Sequence, residues 1–419
     1  MATSSRKFNE VTPVTADLYT QNDVPKMAPD GERVSVQFPS SNGQSFSGGR
    51  SIRIPIPNVS LFMDTKTSGV VLKAKTSVAK TRFAEGIHSI VKTLNVYAKN
   101  NQLVESISGY NLIASCLAGM TVTQDLRAGP LAISQGYNKG NTTDDTVQKT
   151  YFLPLTLSGI LGNGKALPLK YFGGLVVEIV LEDAVKCLVR QTGYDSANVV
   201  SNSSYSIDDP YFLCNAISYS DMQDAVYDQA FLESGLTLYG STYALCPLMW
   251  NTPSATLTIS NRDASIKDIT VITQLKDVVD GSDIGVEKFL QYSNIVKTAQ
   301  WSVAGKTIPT TPLVNDKIQT AFYQEAQDAL HHRAVGWRMT PALWASAAPS
   351  DDSSFVLMRE LESSRTLISG LSLHKEKNVD IYAQVQTLAA THPQCYVSAY
   401  VHLDYMVTFK PDGTVEVTR

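Results

Sequence analysis

Apolar residues recur at every second position in short runs along this chain, and that period constrains the fold more than any other feature. Ile52, Ile54 and Ile56 face one way and Arg53 and Pro55 the other; Leu94, Val96 and Ala98 repeat the pattern, as do Val177, Ile179 and Leu181 set against Glu178 and Glu182. Successive side chains of a strand point to opposite faces, so such runs read as strands with one buried face. Pro55 cannot donate to a ladder and puts its strand at a sheet edge. Further strands are expected over 70–76, 90–98, 151–157, 175–181, 236–239, 255–260, 266–275, 301–304, 355–358, 379–385 and 396–409, with polar, turn-rich stretches between them. Helical patterns are few and short: 110–117 after Ser108 or Gly109, 183–190, 221–232 capped by Ser220, and 316–332 with Asn315 as N-cap. The fold class is all-β with a few short helices in the loops.

The strands fall into two series. With 419 residues, 43% of them hydrophobic and 18% charged, the chain has apolar material for two cores. The period is lost over about 206–233, which is expected to hold the connector. On either side the order repeats: 52–56 pairs with 255–260, the strand ending at Ala98 with 301–304, each followed by a turn and a helix, and 175–181 with 396–409. Offsets this long indicate a duplicated domain and not a repeat array. Two consecutive eight-stranded jelly rolls, one solution for many short strands, satisfy the pattern. The expected division is an extended N-terminal arm over 1–45, a first jelly roll over 46–220, a connector over 221–235 and a second jelly roll over 236–419. The arm is polar, mixed in charge and without a sustained period, so it needs a partner surface to become ordered.

Composition and motifs exclude more than they assign. Thirty-five Lys and Arg against 39 Asp and Glu give a net charge of -4, so no field draws in nucleic acid, and direct sequence-specific nucleic-acid binding is not expected. The five cysteines (Cys116, Cys187, Cys214, Cys246 and Cys395) stand singly and read as small buried apolar residues. The N-terminus lacks a secretory apolar stretch, and synthesis in the cytosol is expected. Gly159 to Lys165 satisfies G-x-x-x-x-G-K but continues with Ala166 and Pro168, where a phosphate loop needs a hydroxyl and a helix. Asp277, Asp280, Asp283 and Glu287 lack calcium-loop spacing and read as a solvated acidic turn, and His331-His332 reads as a helix end. The carboxylate pairs Asp144-Asp145, Asp208-Asp209 and Asp351-Asp352 lie in polar stretches and read as hydrated. No catalytic, cofactor-binding or metal-binding residue is expected, no cofactor, and no enzyme.

Some segments resemble a known family. Ser51-Ile-Arg-Ile-Pro-Ile-Pro57, Gly86-Ile-His-Ser-Ile90 leading into Leu94-Asn-Val-Tyr97, Leu103-Val-Glu-Ser-Ile107 with Tyr110-Asn111, and Leu167-Pro-Leu-Lys170 running into Leu175 to Leu181 are similar to the first half of double jelly-roll major capsid proteins. Trp301-Ser-Val-Ala-Gly305 followed by Ile308-Pro-Thr-Thr-Pro312 and a helix resembles a turn of their second half. The lineage includes the adenovirus hexon, virophages, polinton-like elements, large eukaryotic DNA viruses and tailless membrane-containing phages. The resemblance implies a structural protein of the virion: a homotrimer with six jelly rolls in a pseudo-hexagonal ring, tiling an icosahedral shell. Its implied partners are copies of itself, penton and minor capsid proteins and, in some members, an internal membrane; 135–149 and 191–208 would be outward loops. A lectin-like or receptor-binding β-sandwich (viral spike or fibre head) and a jelly-roll carbohydrate-active enzyme stay open beside it.

Overall fold

The computed structural model describes residues 31–98, 101–137, 145–190, 203–252, 254–259, 265–282, 284, 288–289, 296–303, 305–314, 320–330, 344, 355–362, 370–371, 379–385 and 394–418. Each half of the chain builds two main sheets whose apolar faces meet. In the first half, Ser51–Ile56, Leu175–Leu181, Val91–Ala98 and Gln102–Ser108 lie side by side in that order. The alternation that marked them is the burial pattern: Ile52, Ile54, Ile56, Leu94, Val96, Val177 and Ile179 are all at most 1% exposed. Ser51–Ile56 is the edge strand that Pro55 calls for. The facing sheet centres on Tyr205–Tyr219, flanked by Gly31–Pro39 on one side and Gly69–Thr76 and Phe62–Asp64 on the other, with Lys149–Leu153 beyond Gly69–Thr76.

The second half repeats this plan. Ser254–Ile259, Val379–Val385, Val296–Val303 and Lys306–Val314 form one sheet. Leu236–Trp250, Cys395–Phe409, Ile266–Leu275 and Leu357–Glu360 form the other, with Val415–Thr418 on Cys395–Phe409. The two four-stranded sheets share one strand order, and their strands begin at matching places: Ser51 and Ser254, Val91 and Val296, Gln102 and Lys306, Leu175 and Val379, a near-constant offset of about 204 residues. Among the described residues every ladder is antiparallel, and none joins the halves.

Several expectations need correction. Residues 31–39, expected in the arm, form a strand paired along its whole length with 211–219. As an edge strand with only Phe38 buried, it carries too weak a period to be read. The stretch 205–219, where the strand period reads as lost, is the longest strand of the first half. A bulge between Asp208 and Tyr211, with Asp209 at φ 47°, inserts an extra residue, so the buried positions pass from Tyr205 and Ile207 to Phe212, Cys214 and Ala216. The period of two survives on both sides but changes phase. The partner of Leu175–Leu181 is therefore Val379–Val385, not 396–409, which matches Tyr205–Tyr219 in its central place.

The segment 183–190 is a four-residue helix, Ala184–Cys187, followed by the strand Leu188–Arg190 on Thr81–Phe83. Residues 308–312, read as a turn, belong to the strand Lys306–Val314. Most of the expected outward loops (138–144 and 191–202), His331, His332, Asp283, Glu287, Asp351 and Asp352 lie outside the described residues. The helix Asp221–Ser234 links the halves; Lys170 bonds Asp224 and Asp228 at 3.0 and 2.6 Å, and Tyr171 stacks on Phe231 at 4.3 Å, which holds the helix to the first half. All five cysteines are unbridged, and four are buried.

Candidate functional site at the seam between the halves

The residues that join the two sandwiches come from elements already set by the strand pattern. Gly109, in the left-handed region at φ 63°, turns the strand Gln102–Ser108 into the helix Tyr110–Thr121. Ten of this helix's twelve residues are buried. Tyr400 reaches across to donate its hydroxyl to Gly109 O at 2.8 Å, Tyr405 donates to Val104 O at 2.5 Å, and Gln102 Nε2 donates to Val415 O at 2.9 Å. Arg190 N–H donates to Ile284 O at 2.9 Å, and the rings of Phe172 and Phe409 meet edge to face at 4.3 Å. Burial pushes the Tyr400 phenol well above its ordinary value, so it stays a donor at every pH the fold survives.

The G-x-x-x-x-G-K stretch has its use here. No helix begins at Lys165; Ala166–Pro168 is a strand on Phe62–Asp64. Instead of facing an anion site, Gly159 N–H donates to the fully buried Glu105 carboxylate at 2.6 Å, and Ser158 Oγ donates to its other oxygen at 2.5 Å. The loop then packs on the second half so closely that a Cβ on Gly240 would lie 2.4 Å from Gly159 O, which only glycine allows.

Desolvation raises the Glu105 carboxyl above its ordinary 4.5. The native state therefore holds this proton more tightly than the unfolded chain, and ionisation costs stability as pH rises above the unfolded value. Glu105→Gln, which keeps an acceptor for Gly159 N–H, is expected to match or exceed the parent at pH 7. Glu105→Ala leaves two donors unmatched and a void, and is expected to lose about 2–3 kcal/mol. Urea unfolding of both variants checks this; equal stability would contradict the role given to Glu105.

Beside the seam lies a cluster of buried polar groups. Arg127 Nη2 is 2.5 Å from Glu85 Oε2, both about 5% exposed, and the guanidinium lies 5.3 Å over the Tyr137 ring. The helix that presents Arg127, Gln124–Ala128, is capped by Thr123. His88 Nε2 lies 2.9 Å from Gln135 Oε1 between the rings of Tyr110 and Tyr137. Desolvation pulls the His88 imidazole down from 6.5 to about 4, against the Gln135 bond, which acts to raise it. Across the seam His402 Nδ1 is 2.7 Å from Asp268 Oδ2, both buried, and Tyr243 stacks on the imidazole. None of these groups stood out in the sequence, because each depends on contacts between distant segments.

The other carboxylates have structural partners. Asp145, read as hydrated, is buried and accepts from Lys149 at 2.8 Å, Tyr151 at 3.2 Å and Phe83 N–H at 3.3 Å. Asp208 accepts from Ser45 and Gln148, Asp209 pairs with Lys73, and Asp280 accepts from Tyr396 and pairs with Lys276. Among the described residues no group of three or more His, Cys, Asp or Glu side chains could hold a metal ion.

No protein-family model matches the sequence, and no curated protein matches it. Solved structures do match in shape. PBCV-1 VP54 is 10% identical, with 96% of this chain and 99% of that chain covered at a TM-score of 0.64. The Faustovirus major capsid protein is 8% identical, with 93% and 92% covered at 0.64, and the mavirus major capsid protein 9% identical, with 97% and 94% covered at 0.55. Coverage this complete extends over both sandwiches and the way they sit against each other, so the chain has the double jelly-roll fold of these capsid proteins.

Proposed function

We propose that this chain is a viral major capsid protein, which builds an icosahedral shell as homotrimeric, pseudo-hexagonal capsomers and catalyses no reaction. The observation that carries the reading is one sandwich plan used twice and fixed across a seam of buried hydrogen bonds. A closed trimer of such a unit presents six similar sandwiches around its axis, which suits sixfold packing in a shell. The first jelly roll then runs over 31–220, the connector over 221–235 and the second jelly roll over 236–419, and residues 1–30 lie outside the described residues. Copies of the chain are its first partners; penton and minor capsid proteins, and an internal membrane, follow from the same reading, and the virion is its place.

A glycosidase would need two carboxylates about 5–9.5 Å apart in a cleft. The cleft of about 440 Å³ at the seam has none among its described lining residues, and one of about 370 Å³ beside Arg33 and Asn215 has only Asp64. Negative-stain microscopy of the purified full chain tests the proposal: pseudo-hexagonal particles are expected, and a field of single-chain monomers would overturn it.

A further inference from the structure

In the second sandwich one lysine is set between two carboxylates. Lys267 Nζ lies 3.4 Å from Glu362 Oε1 and 3.5 Å from Asp404 Oδ1, and the two acidic side chains are 6% and 9% exposed. Three neighbouring segments bring these groups together. Ile266 pairs with Leu403 and Asp268 with His402, so Lys267 is the extra residue of a bulge in Ile266–Leu275. Asp404 N–H donates to Ser265 O at 3.0 Å, and Leu361 N–H, beside Glu362, donates to Lys267 O at 2.8 Å. Ser265 Oγ donates to Asp404 Oδ2 at 2.5 Å. Gly370 lies over this corner so closely that a Cβ on it would come within 2.6 Å of Ser265 Oγ.

The corner therefore holds an amine, a carboxyl group for it to attack, a second carboxylate that can move protons, and a hydroxyl on the carboxyl to be attacked. Charge-assisted hydrogen bonds of an ammonium are about 2.7–2.9 Å long, whereas groups poised to react sit about 3–3.5 Å apart. Both Lys267 contacts fall in the second range. We propose that Lys267 Nζ and Asp404 Cγ become joined by an amide bond, with Glu362 as the proton carrier. Glu362 first moves a proton from the ammonium to Asp404, leaving a neutral amine and a neutral acid, which burial favours over separated charges. The amine attacks Cγ, and the Ser265 hydroxyl holds Oδ2 as it gains negative charge. The nitrogen then gives a proton to Glu362, which passes it to the departing Oδ1 hydroxyl. The C–O bond breaks, water leaves, and Glu362 returns to its starting state. One ammonium and one carboxylate become one amide and one water, a single event within the chain that needs no oxidant and no cofactor. The new bond ties Ile266–Leu275 to Cys395–Phe409 and closes the intervening chain into a loop, which restricts the unfolded state.

Mass spectrometry of the purified, denatured full chain tests this independently of whether the protein forms a shell. The parent is expected to be lighter than its sequence by the mass of one water, and a tryptic digest to contain a branched peptide that joins Lys267 to Asp404. Glu362→Gln, which keeps both reacting groups, and Lys267→Arg are expected to show the full sequence mass. A parent chain of full sequence mass, cleaved by trypsin after Lys267, overturns the proposal whether or not either variant folds, and leaves an ordinary ion cluster at this corner. A lost water that maps to any other pair of residues overturns it too, as does an unchanged loss in Glu362→Gln.

Discussion

Replacing Arg127 by alanine is expected to cost about 3–5 kcal/mol of stability, the range for breaking a buried ion pair by removing one partner. Glu85 is then left in a site about 5% exposed without the guanidinium that sits 2.5 Å away, and Tyr137 loses the cation over its ring. The pair itself adds far less than this to net stability, because bringing both charges out of water offsets most of their attraction. The double substitution Glu85→Leu with Arg127→Met is therefore expected to recover most of the loss. Urea unfolding at one fixed protein concentration checks both, since a self-associating chain has a concentration-dependent midpoint. A double variant as unstable as Arg127→Ala would show that the cost arises from packing and not from the unpaired charge.

Acid is expected to loosen the same region before carboxylate protonation unfolds the rest. The His88 imidazole titrates at 6.5 in the unfolded chain and at about 4 in the folded one. Between these values the unfolded chain binds a proton that the native state refuses, so stability falls as pH falls. His88's contribution is complete above 6.5 and gone below about 4, a loss of roughly 3 kcal/mol at 1.36 kcal/mol per pH unit. The groups around it, Gln135, Tyr110 and Tyr137, carry no charge that would reverse the sign, and the Arg127 and Glu85 charges nearby neutralise each other. His88→Phe keeps a ring in place and removes the titration. It is expected to be somewhat less stable than the parent at pH 7, through the lost Gln135 bond, and to close that gap or pass the parent near pH 4. Parallel pH profiles for the two proteins would place the acid sensitivity elsewhere.

Much of this fold was legible in the sequence wherever one face of a strand is buried and the other is not. Ser51–Ile56, Val91–Ala98 and Leu175–Leu181 carry the alternation, and the duplication could be read from the first two of them, which match Ser254–Ile259 and Val296–Val303. What stayed hidden has physical causes. Gly31–Pro39 lies at an edge with both faces largely wet, and the bulge at Asp209 shifts the phase within Tyr205–Tyr219. Cys395–Phe409 is buried on both faces along its middle, so its register against the first half could not be set by pattern. The seam was the least visible part. Glu105, Tyr400, Tyr405 and Gly240 look ordinary in sequence, and their roles exist only once the halves have packed. Asp145 looked like half of a hydrated pair because nothing local announces that Lys149, Tyr151 and Phe83 close around it.

The proposed function requires one chain with two like sandwiches to associate in threes as a capsomer. Sedimentation equilibrium of the purified full chain measures this most directly. A single species of three times the chain mass, unchanged on dilution across the micromolar range, is the predicted result; a species of one chain mass at every concentration would contradict it.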